Sequence, residues 1–107
     1  MKTYTIDQFI ENVENRKNMK RGSNVTFDTS KFELVNEDKY NQYFKYKYND
    51  KDYDVHIYEQ TNNMFRIEIS ISGFDFEIGD IIDDKEECNI PDKKIYTAFL
   101  DCDCKFF

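Results

Sequence analysis

"FKYKYNDKDYDVHI", residues 44–57, decides the fold. Apolar residues fill every second position: Phe44, Tyr46 and Tyr48 before the polar "NDKD", then Tyr53, Val55 and Ile57 after it. A period of two is the mark of a half-buried strand. The apolar parity changes from even to odd across residues 49–52, as two antiparallel strands require if a four-residue turn sets Tyr48 opposite Tyr53. The same alternation continues in "FRIEISISGFDFEI", residues 65–78, and its parity switches at Ser72-Gly73, a signal for a two-residue hairpin loop or a bulge. Upstream, "NVTFD" (24–28) and "KFELV" (31–35) read as short strands. Downstream, "IYTAFLDCDCKFF" (95–107) puts Tyr96, Ala98, Leu100, Cys102, Cys104 and Phe106 on one side.

The N-terminus has the other period. Thr5 and Gln8 make a capping-box pattern, with Tyr4 placed to staple onto Phe9. Ile6, Phe9, Ile10 and Val13 form one apolar stripe. Arg16, Lys17, Lys20 and Arg21 suit the negative pole of a helix that Gly22 stops. The expected architecture is a single α+β domain over 1–107. A helix within 1–21 lies on one face of an antiparallel meander of about five to seven strands over 24–107, which carries an acidic loop at 80–94.

The chain of 107 residues has a net charge of −7, and the excess is local. Residues 1–50 sum to +1, residues 51–107 to −8, and residues 75–92 alone to −7. Such a surface repels nucleic acid and membranes and attracts basic clefts. No apolar run approaches the roughly 20 residues of a membrane span, and the polar N-terminus does not read as a signal peptide. Three cysteines, an odd count, argue against a disulfide framework. The expected location is the cytoplasm of a bacterial host.

The hairpin registers extend to the open face. Tyr48 opposite Tyr53, Ile57 opposite Phe65, and Ile71 opposite Phe74 predict a solvent-side row Lys47, Asp54, Glu68, Glu77, with Ser70 beside Asp75. Adjacent like charges cost a sheet some stability, so a carboxylate row points to a role outside folding. It leads into Asp80, Asp83, Asp84, Glu86 and Glu87. The candidate partner-binding set is therefore Asp54, Glu68, Asp75, Glu77, Asp80, Asp83, Asp84, Glu86 and Glu87. Alternate strand residues lie about 6.6 Å apart, so such carboxylates can imitate a short run of backbone phosphates.

Chemistry has less to work with. His56 is the single histidine, and the expected register sets it between Lys45 and Arg66. Asp50, Asp52 and Asp54 start like a calcium loop, yet Val55 stands where glycine belongs and Thr61 where a bidentate glutamate belongs. Cys88, Cys102 and Cys104 lack zinc-site spacing, and Cys102 and Cys104, on one strand face, read as small packing residues. "KYNQYFKYKYNDKDY" resembles a stacking platform for single-stranded nucleic acid, but Phe44, Tyr46 and Tyr48 belong to the core face. The reading is a non-enzymatic protein without cofactor or metal.

In size, composition and the stretch "FDFEIGDIIDDKEE" (74–87), the chain resembles the small anti-CRISPR proteins of phages and mobile elements that inhibit type II-A Cas9. That resemblance implies stoichiometric inhibition by occupying basic channels that hold guide RNA or target DNA. The partner would be a basic nucleic-acid-binding protein, with the inhibitor a monomer or small homo-oligomer. An immunity or antitoxin protein that neutralises a basic toxin is the alternative.

Overall fold

In the computed structural model, residues 2–60, 64–82 and 94–106 are described, the side chains of 80–82 excepted. The capping box closes as its residues dictate. The Gln8 amide donates to Thr5 Oγ1 at 3.2 Å and the Thr5 amide to Gln8 Oε1 at 3.0 Å. Helix α1 (Ile6–Glu14) follows, with Ile6, Phe9, Ile10 and Val13 all buried.

It ends earlier than Gly22. Arg16 takes a left-handed φ of 54°. The Lys17 amide donates to the Asn12 carbonyl and the Arg16 amide to that of Val13, the paired bonds of a Schellman stop. Beyond Val13 the apolar stripe would need a residue at 17, and Lys17 stands there. A short helix is held by packing rather than propensity, so it stops where its buried face runs out.

Two sheets complete the fold, among the described residues. Strand β1 (Thr3–Thr5) pairs in parallel with β2 (Asn24–Asp28), which pairs antiparallel with β8 (Ile95–Phe99), so Val25 faces Ala98 and Phe27 faces Tyr96. The five-stranded antiparallel meander runs β3 (Glu33–Glu37), β4 (Asn41–Tyr48), β5 (Lys51–Glu59), β6 (Met64–Ile71) and β7 (Phe74–Ile82) in chain order. The N-terminal helix and the meander are as the sequence leads one to expect. The parallel pair is an addition, built on a strand of only three residues. At the meander's far edge, all five residues of β3 are exposed, with a bulge at Val35. Among the described residues no helix is long and apolar enough to cross a membrane.

The hairpin registers correct the expected ones. The first turn has two residues, not four: Asn49 and Asp50 both take positive φ, 53° and 62°, the requirement of a type I′ hairpin. Tyr48 therefore faces Lys51, Tyr46 faces Tyr53, and Lys45 rather than Lys47 faces Asp54. In the next pair Ile57 faces Ile67, His56 faces Glu68 and Asp54 faces Ser70. The third register stands, with Ile71 on Phe74, Ser70 on Asp75 and Glu68 on Glu77. Its turn is Ser72-Gly73, φ 42° and 85°. A bulge then steps the ladder from Ile67–Ile78 to Arg66–Asp80, leaving Gly79 as the extra residue. A Cβ built on Gly79 would meet the Phe99 carbonyl oxygen at 2.0 Å, so the close approach of β7 to the end of β8 needs glycine.

The inner face of the meander joins the α1 stripe and Phe27, Tyr96 and Ala98 in one core. Phe9 meets Phe76 edge to face at 5.8 Å. Three tyrosine hydroxyls stitch the helix to the sheet. Tyr46 donates to Asp7, Tyr48 to Glu11, and Tyr53 to Glu14 Oε1 at 3.0 Å. The acceptors at 7, 11 and 14 recur with the helical period, so they share one flank. Burial first, then Asp7, raises the Tyr46 phenol. Its bond to Glu11 pushes that of Tyr48 up to about 12.

Glu14 is held below its ordinary 4.5 by the Ser72 hydroxyl above all; burial opposes this, and Tyr53 and Lys51 add to the lowering. A carboxyl depressed by folding adds stability that is present above 4.5 and fades as pH falls through its lower folded value. Urea midpoints followed from neutral pH down through the carboxylate range should therefore fall less steeply in Glu14→Gln than in wild type. Parallel curves would assign the acid sensitivity to other groups.

Candidate docking face

The outer face of the meander gathers the strand carboxylates. Alternation places Lys45, Asp54, Ser70 and Asp75 in one cross-strand row, and Tyr43, His56, Glu68 and Glu77 in the next. The expected row Lys47, Asp54, Glu68, Glu77 does not exist, because two registers differ by two residues. Asp54, Glu68, Asp75 and Glu77 nevertheless line one shallow trough of 650 Å³, with Val35 and Tyr43 on its rim. Asp80 stands opposite Arg66 in the ladder. Asp83, Asp84, Glu86 and Glu87 lie outside the described residues.

The four carboxylates are not equivalent. Asp54 binds Lys45 Nζ at 2.7 Å. Glu77 pairs with Arg66, whose Nη2 also holds Asp101 at 2.9 Å, and accepts the Tyr58 hydroxyl at 3.1 Å. Burial and that carboxylate push the Tyr58 phenol up to about 12. Asp75 accepts only a neutral donor among the bonds seen here, Ser70 Oγ at 2.7 Å. Glu68 Oε2 lies 3.5 Å from His56 Nδ1 and directly across from Glu77. Internal cations thus offset Asp54 and Glu77, while Glu68 and Asp75 keep more of their negative potential.

His56 is not between Lys45 and Arg66. It stacks on Tyr43 at 4.3 Å with the rings 9° apart, and meets Tyr58 at 4.9 Å. The sequence did carry a sign of this: residues 43, 56 and 58 all fall on the solvent parity of their strands. Their meeting depended on the register.

The other constellations fall away from chemistry. Asp50 sits in the type I′ turn while Asp52 and Asp54 lie on strand β5, so no calcium loop forms there. Cys102 is exposed, contrary to its expected place beside Cys104 on the apolar side. Cys104 is buried, and burial pushes its thiol up to about 11, which suits packing rather than reactivity. Cys88 lies outside the described residues. Among the described residues no group of three or more histidine, cysteine or acidic side chains is placed to hold a metal ion. Family models, curated proteins and solved structures yield no match to this chain.

Proposed function

We propose that this chain is a stoichiometric protein inhibitor, whose acidic sheet face docks in a Lys/Arg-lined groove of a Cas9-type nuclease effector and keeps guide RNA or target DNA out. The observation that carries the reading is the gathering of Asp54, Glu68, Asp75 and Glu77 on one face. Neighbouring strands set such groups about 4.8 Å apart and alternate residues about 6.6 Å apart, a spacing that lysines and arginines arranged for phosphates can meet. Charge complementarity of this kind chiefly speeds encounter and selects partners. It needs no covalent step.

The unequal compensation refines the reading. A partner's cation must compete with Lys45 for Asp54 and with Arg66 for Glu77. At Asp75 it meets no such competitor among the contacts described above, and at Glu68 only His56, a cation when protonated. These two are the anchors. In a DNA-cleavage assay with purified effector and guide, Glu68→Gln with Asp75→Asn should weaken inhibition roughly tenfold, if each half-exposed contact contributes about 0.7 kcal/mol. Asp54→Asn with Glu77→Gln should cost less, and raised salt should narrow the gap between variants and wild type. Undiminished inhibition by the Glu68/Asp75 pair, with circular dichroism showing an intact fold, would refute the docking reading.

A further inference from the structure

The surroundings of His56 contain more than an acidic face requires. Its Nε2 lies 2.8 Å from Asn41 Oδ1. The orientation of that amide is fixed independently, because Asn41 Nδ2 donates to Asp38 Oδ1 at 2.9 Å. The same carboxylate oxygen also accepts from the Tyr40 and Asn41 amides, at 2.9 and 3.0 Å. The carbonyl end of Asn41 must then face the imidazole. On the opposite side of the ring, Nδ1 faces the Glu68 carboxylate at 3.5 Å. Both ring nitrogens therefore point at oxygen acceptors. A neutral imidazole has one N–H and satisfies only one of them, turning a lone pair on the other; the imidazolium donates to both. Tyr43 and Tyr58 lie against the ring, and aromatic faces favour a cation.

We propose that His56 is a proton-operated switch for the acidic face. As imidazolium it is clamped between Asn41 and Glu68 and cancels the charge of Glu68. As neutral imidazole it releases that carboxylate to a cationic partner. Histidine is the side chain suited to such a change near physiological pH. Asp38 holds Asn41 in place, Glu68 faces the ring from β6, and Glu77 stands one strand further on β7. The nearby cations Lys45 and Arg66 are engaged by Asp54, Glu77 and Asp101. Tied to the docking reading, the switch makes binding to a basic partner weaken on acidification. The switch itself belongs to the chain alone and is testable without a partner.

The test is nuclear magnetic resonance of the labelled full chain across the neutral range, in which the single histidine gives an unambiguous signal. The Glu68 carboxylate carbon should move together with the His56 ring, and both ring N–H signals should appear on the acid side. In His56→Gln the Glu68 movement should vanish. In Glu68→Leu the Nδ1–H signal should be lost to solvent exchange while the Nε2–H on Asn41 persists. A Glu68 carbon that stays flat through the His56 transition overturns the proposal, as does one that moves equally in His56→Gln. Loss of effector inhibition in the Glu68/Asp75 variant bears on docking alone, so the two ideas fail separately.

Discussion

Gly79→Ala should lower the melting temperature by roughly 10 °C or more, from overpacking of about 2–3 kcal/mol at 4–8 °C per kcal/mol. The added methyl would lie 2.0 Å from the Phe99 carbonyl oxygen, 3.0 Å from its carbon and 3.4 Å from Asp101 Cβ. Two of these are backbone atoms and cannot swing aside as a side-chain tip can. The chain can only separate β7 from the end of β8, and with it the meander from the three-stranded sheet. Gly73 is the control. It has open space around it but a φ of 85°, so Gly73→Asn, which tolerates that backbone, should melt within a few degrees of wild type. A Gly79→Ala protein that melts like wild type would mean that the two sheets are not in close contact there.

Phe9→Ala should cost about 3–5 kcal/mol, the range for emptying a buried aromatic site. Phe9 is fully buried at the middle of the helix stripe and packs edge to face on Phe76. A nine-residue helix has little stability of its own, so loss of its central anchor loosens α1 from the sheet. In urea the midpoint should fall sharply, and amide exchange should show α1 opening before β4–β6. Against a total of about 5–15 kcal/mol for a domain, the loss is severe. The carboxylates of the docking face lie on the opposite side of the sheet. The molecules that remain folded should therefore inhibit as wild type does, once concentration is corrected for the folded fraction. Loss of affinity in that folded fraction would place the helix at the interface instead.

Face assignment was legible in the sequence; neighbour assignment was not. A strand's period of two fixes which side chains enter the core, and a slip of two residues leaves every one on its side. That is why Asp54, Glu68, Asp75 and Glu77 were rightly gathered on the outer face although two of the three hairpin registers were displaced. The slip changed what lies opposite each of them, and so hid the Lys45–Asp54 pair and the cradle of His56. Asn49-Asp50 could have signalled the two-residue turn, since both types tolerate positive φ. The helix start was readable because its cap is a local motif. Its end was not, because Arg16 rather than glycine occupies the left-handed position. The bulge at Gly79 answers to a strand some twenty positions away, which local periodicity does not report.

The bare edge at β3 has a consequence for anyone redesigning the charge of this molecule. Two copies laid side by side about Val35 would set Glu33 of one against Glu37 of the other, twice over. Those glutamates, together with the bulge, act as guards against fibre-like stacking, with Leu34 and Val35 exposed between them. A variant that removes them along with the trough carboxylates would lose its colloidal behaviour as well as its charge, and the two losses would be read as one.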